Sequence, residues 1–101
     1  MNSYQALREL THASHQAMAL AERAAPTDER FKSWQLETAR LIGRAFGFNS
    51  PYAQAFNEIF YRYRIAHPEQ SLQEDVQCFE RGMVAARALL LDMRRDLQEA
   101  E

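Results

Sequence analysis

The sequence predicts an all-α protein, a four-helix up-and-down antiparallel bundle closed by a long C-terminal helix. Three observations predict it. Ala, Leu, Glu, Gln and Arg dominate the 101 residues, sixteen of them Ala, while Val76, Val84, three Ile and three Thr are the only β-branched side chains. That balance favours helix over strand along the whole chain. Proline, glycine and capping residues divide the chain into four segments. In the last of these, apolar residues recur at alternating spacings of four and three without a break.

The first helix can begin after Ser3 as N-cap and run to about Ala24. Ala25-Pro26 stops it, because proline disfavours helical geometry in the residue before it. Its apolar side is the weakest of the four: Leu7, Leu10, Ser14, Met18 and Ala21. Thr27 is the expected N-cap of the second helix, with Asp28 and Glu29 placing negative charge on the first turn. This helix reaches about Phe46, where Gly47 supplies a left-handed cap. Phe31, Trp34, Thr38, Leu41, Ile42 and Ala45 share one face, and Lys32, Glu37, Arg40 and Arg44 lie outside it. Trp34 is therefore expected to anchor the core.

Ser50-Pro51 pairs an N-cap with a first-position proline and opens a third helix, expected to end at His67-Pro68. Tyr52, Phe56, Ile59, Phe60 and Tyr63 lie along one side of it. Ser71-Leu72-Gln73-Glu74 reads as a capping box. The fourth helix it opens spans some 25 residues, about 38 Å at the standard rise. Leu72, Val76, Phe79, Met83, Ala86, Leu90, Met93 and Leu97 form its heptad seam. Short connections favour antiparallel neighbours, so residues 1–101 read as one bundle domain.

Composition bounds the function classes. At 11.8 kDa, with 47% hydrophobic and 26% charged residues and a net charge of -2, the chain fits one globular domain. Three Gly, three Pro and one Cys exclude collagen, a disulfide-stapled scaffold and a Cys-based structural zinc site. The opening Met1-Asn2-Ser3-Tyr4-Gln5 lacks the basic start and apolar run of a signal peptide, and no apolar run approaches bilayer length. A cytoplasmic location is expected. Cys78, within a helical pattern, reads as a small core residue, with a reactive thiol as the alternative. Acids are interleaved with the eleven Arg, so no single-sign stripe points to nucleic acid or membrane.

The middle of the fourth helix is apolar nearly all round, through Met83-Val84-Ala85-Ala86 and Ala88-Leu89-Leu90-Leu91. Val84, Ala88 and Leu91 lie about 100 to 180° from the seam, and Cys78, Ala85 and Leu89 occupy the other flank. Three neighbouring helices could cover that circumference, or it could form an interface with a second copy or another protein, or line a ligand pocket. Tyr61 and Ile65 point away from the Tyr52, Phe56, Ile59 and Tyr63 side, next to Arg62. Tyr with Arg is a composition enriched at interfaces, and a tyrosine lying on a neighbouring helix is the alternative. The candidate partner-binding residues are thus Tyr61, Arg62, Ile65, Val84, Ala88 and Leu91.

No catalytic, metal or cofactor site is expected. His12 and His15 sit three apart and can share a face, but two ligands do not make a site. His67 could supply a third, yet Gln16 and Ala19 follow at helical spacing, and the pair reads as solvated. Asp92 and Asp96 flank Arg94 and Arg95 on a salt-bridged exterior and do not form an acid–base dyad. The glycines at 43, 47 and 82 are too dispersed for a phosphate loop, and no serine nucleophile elbow is present.

Two resemblances add to this reading. Arg62-Tyr63-Arg64-Ile65-Ala66-His67 resembles the R-x4-H arrangement of the HEPN family of all-helical bacterial ribonucleases. It implies a dimer in which Arg62 and His67 of two subunits face each other across a cleft. Tyr63 departs from the small polar residue usual after that Arg, and His67 directly precedes Pro68, where a helix-end histidine is the alternative. Phe31, Trp34, Leu41 and Phe46-Gly47-Phe48-Asn49-Ser50, leading into Phe56 and Ile59 and continuing through Gly82, Ala88 and Leu90, resemble a small helical module found at the N-terminus of some bacterial conflict and defence proteins. That module carries a W…FG-x-x-S pattern ahead of an effector domain. It implies a copy that acts by binding another protein. The expected function is a non-catalytic, self-associating protein–protein interaction module in a cytoplasmic bacterial regulatory or defence assembly. The alternatives are a HEPN-like dimeric ribonuclease and a small-molecule binder with a pocket lined by Met18, Met83 and Met93.

Overall fold

Four helices, and no strand among the described residues, make up the computed structural model, which describes residues 2–24, 27–59, 61 and 72–99. They are α1 (Ser3–Arg23), α2 (Glu29–Phe46), α3 (Pro51–Asn57) and α4 (Leu72–Glu99). The protein is all-α. Ala25, Pro26, Phe60, Arg62, Tyr63, Ile65, His67, Pro68 and Ser71 lie outside the described residues.

Two caps sit one residue from their expected places. Asn2, not Ser3, caps α1, its Oδ1 accepting the Gln5 backbone N–H at 2.7 Å. Asp28, not Thr27, caps α2 through the Arg30 N–H at 2.8 Å. Asn and Asp outrank Thr as N-caps because a short, planar acceptor reaches the free N–H groups of the first turn. The Arg30 guanidinium also folds back onto Asp28 at 2.8 Å, and these hydrogen bonds hold the Asp28 carboxyl below its usual range. At the far end of α2, Gly47 takes φ 103°, a conformation that only glycine adopts without strain, and its N–H bonds the Gly43 carbonyl at 2.9 Å. Ser50 and Pro51 open α3 as expected, with Ser50 Oγ accepting the Ala53 N–H.

The third helix is shorter than its sequence suggests. It ends at Asn57, where the Glu58 and Ile59 N–H groups turn back to the carbonyls of Ala55 and Phe56 three residues earlier, tightening the last turn. The helical phase is broken there. Tyr61 consequently does not continue the wheel of α3.

The contacts close a ring: α1 against α4 and α2, and α3 against α2 and α4, with the α1–α4 contact the most extensive. From α4 come Phe79, Met83, Ala86, Leu90 and Met93, five positions of its seam, all buried, whereas Val76 near the start of the helix is half exposed. Phe31, Trp34, Thr38, Leu41 and Ile42 of α2 are buried as their spacing predicts. The buried face of α1 is Ala6, Leu10, Ala13, Ser14 and Ala17. Small side chains let α1 lie close to α4, and Met18 stands outside the core. Buried Ser14 satisfies its hydroxyl by donating to the Leu10 carbonyl at 2.9 Å.

Aromatic rings fill the centre. Phe31 packs edge-on against Tyr61 at 4.7 Å and Phe79 at 5.1 Å, and Trp34 meets Phe56 at 5.8 Å between centroids. Such tilted pairs add to the burial of the rings themselves. The Trp34 indole N–H donates to the Ala13 carbonyl at 3.0 Å, pinning α2 to α1. Tyr52 pins α3 to α4 by donating its hydroxyl to the Asp96 carboxylate. That hydrogen bond, with smaller help from burial and from the charges of Asp96 and Asp92, pushes the Tyr52 phenol up to about 12.

A phenol whose pKa rises on folding stabilises the fold below about pH 10, its unfolded value, and that stabilisation is lost as the pH climbs toward the folded value. Asp96→Asn removes both the acceptor charge and its repulsion of phenolate. In a phenolate absorbance titration, Asp96→Asn should bring one late-titrating tyrosine back toward about 10, and an unchanged titration would contradict the contact.

Candidate functional site

The candidate site is the outward face of α4. Val84 is 68% exposed, Leu91 is 42% exposed and Ala88 is exposed, all three on the side away from the buried seam. The heptad seam forces this arrangement. Once Phe79, Met83, Ala86, Leu90 and Met93 turn inward, residues at 84, 88 and 91 must face out, because a helix advances about 100° per residue. Among the described residues, two helical neighbours, α1 and α3, pack against α4, and they do not encircle it. The other flank behaves differently. Leu89 packs against the core and Cys78 is half-buried, while Ala85 is exposed.

Charged side chains border the apolar trio. Arg81, Arg87 and Arg95 are exposed on its edges together with Glu80 and Asp92, and Arg95 is bonded to Asp92 one turn away. An apolar centre with an arginine-rich, polar rim is the composition of a protein interface.

Tyr61 requires a correction. Far from projecting toward a partner, it is 5% exposed, with its ring against Phe31 and Phe79. The break after Asn57 explains the reversal, since a residue expected on the outer wheel of a continuing helix is carried into the core by the turn. Its hydroxyl has no hydrogen-bond partner among the described residues, and burial pushes the phenol well above its ordinary value. Arg62 and Ile65, the other candidates from that stretch, and His67 of the R-x4-H pattern, lie outside the described residues.

The remaining candidates do not converge. His12 and His15 are exposed, and no group of three or more metal-ligating side chains occurs among the described residues. Met83 and Met93 lie in the filled core while Met18 is exposed, so the three methionines line no common pocket. An open cleft runs between α1 and α2, lined by Arg23, Arg30 and Glu37, with Glu9, His12 and Arg44 farther along, so charges of both signs border it. Sequence reasoning did not find this cleft. It arises because α1 offers alanines to its neighbours, and alanine is the least conspicuous of apolar residues. At the end of the cleft, Phe48 lies across Gly43, where an added Cβ would sit 2.2 Å from the ring, so the glycine makes room for Phe48, which stays 66% exposed.

The chain matches no family model, no curated protein and no solved structure. Among the described residues, no helix is long and apolar enough to cross a membrane.

Proposed function

We propose that this chain is a non-catalytic protein–protein interaction module that associates with a second copy of itself through the outward face of α4, with a different protein as the alternative occupant. The observation that carries the reading is the exposure of Val84, Ala88 and Leu91 in one line on a helix whose opposite side, from Phe79 to Met93, is buried in the core. Isolated exposed apolar residues are ordinary, but a continuous helical stripe of them is the form in which helices recognise helices.

The finer arrangement belongs to the same proposal. We read the four helices as alternating up and down, supported by the short connections at 24–28 and 47–50 and by the closed ring of contacts. The likeness to the defence-protein module rests on Trp34, Leu41, Phe46, Gly47 and Ser50. In this fold Trp34 and Leu41 are core residues, Gly47 ends α2 and Ser50 begins α3. That likeness supports a place in a cytoplasmic bacterial regulatory or defence assembly.

The experiment is Leu91→Glu. A charge placed on the stripe should lower the sedimenting mass toward 11.8 kDa while the helical circular dichroism stays unchanged. An unchanged, above-monomer mass in the variant would show that association uses another surface.

A further inference from the structure

Resting on that self-association, we propose that two copies pair their α4 helices in parallel and in register, so that Val84, Ala88 and Leu91 each face their own counterpart. Val84 and Leu91 are seven residues apart and Ala88 lies four after the first and three before the second, which makes Val84 and Leu91 d positions and Ala88 an a position of an outward heptad. The small side chain of Ala88 at the centre permits close approach of the two axes.

The flanking charges decide the direction. In a parallel pair, each g side chain meets the e side chain five residues further along the partner helix. Arg87 then faces Asp92 and Arg94 faces Glu99, each contact occurring twice by symmetry. An antiparallel pair centred on Ala88 brings g residues together instead, and Arg87 meets its own copy beside the two-fold axis. Two of the four parallel partners, Arg87 and Glu99, are exposed and take part in no ion pair among the described residues. Arg94 is half-buried, with its Nε shielded from solvent. Asp92 uses Oδ1 for Arg95, which leaves Oδ2 for a second helix. Arg81 and Arg95 occupy the next a positions and limit the apolar contact to little more than one heptad, so the dimer is reversible and at the small end of interface sizes.

Cysteine cross-linking in the full chain tests the register, with Cys78→Ala as background. In a parallel pair, Val84→Cys and Leu91→Cys should each form a covalent dimer with itself under diamide. A mixture of the two variants, one carrying a mass tag, should give few 84–91 cross-links. Predominant 84–91 cross-links would overturn the parallel register while leaving self-association standing. No cross-link in any combination, together with a sedimenting mass of 11.8 kDa, would overturn both.

Charge reversal gives a second readout. Arg87→Glu should weaken dimerisation roughly 3- to 10-fold, the scale of exposed ion pairs counted twice. Adding Asp92→Arg should restore it. Residues five apart do not face each other on one helix, so rescue reports contact between copies. Failure of the double variant to recover would overturn the pairing.

Discussion

Leu90→Glu is expected to leave the chain unfolded at neutral pH, whereas Leu91→Glu, one residue on, should fold. Leu90 is 0% exposed at the middle of the α4 seam. Losing a buried leucine there costs about 2 to 5 kcal/mol, and a carboxyl group without partners in an apolar core adds several more. The sum reaches the ~5 to 15 kcal/mol that holds a small domain together. Leu91 is 42% exposed, and its carboxylate would stay in water, so the cost falls to about 1 kcal/mol. Urea denaturation followed by circular dichroism checks the pair. Equal stability of the two variants would contradict the orientation of α4 on which the candidate site depends.

Trp34→Ala is expected to cost about 3 to 5 kcal/mol, the range for truncating a buried aromatic. Trp34 is 3% exposed, packs against Phe31 and Phe56, and spans from α2 to α1 through its hydrogen bond to the Ala13 carbonyl. Trp34→Phe separates the two contributions. It keeps most of the packing and loses the hydrogen bond, a change of about 1 kcal/mol. As the chain has one tryptophan, its emission reports this site alone. Blue-shifted emission that resists aqueous quenchers is expected, and readily quenched red emission would place Trp34 on a surface.

What was legible in the sequence follows from how large the signals are. The α4 seam and the α2 face are built from bulky apolar residues at regular spacing. Phe79, Met83, Ala86, Leu90 and Met93 of the one and Phe31, Trp34, Thr38, Leu41 and Ile42 of the other are buried as read, while Leu97 and Ala45 are partly buried and Val76 is half exposed. The outward stripe was legible for the same reason, because apolar residues on every side of one helix exceed what a single core can absorb. The face of helix α1 was read correctly at Leu10 and Ser14 but wrongly at Met18, which stands in solvent, and Ala6, Ala13 and Ala17 were missed because alanine carries little signal. Hydrophobic size ranks such a face last, although close packing against α4 requires small side chains. Tyr61 was misplaced by extrapolating one helical phase through a segment where α3 has already ended. Nothing in Asn57-Glu58-Ile59 marks that ending as proline or glycine would. The single-residue shifts of the caps at Asn2 and Asp28 are of a different kind, since two good capping residues stand side by side at each site: Asp outranks Thr at the second, and Asn and Ser rank alike at the first.

Sedimentation equilibrium of the unmodified chain, from roughly 10 μM to 1 mM to span the weak association typical of small interfaces, tests most directly whether α4 presents a self-complementary face. The mass is predicted to rise with concentration from 11.8 kDa toward twice that value. A mass of 11.8 kDa at every concentration would contradict it.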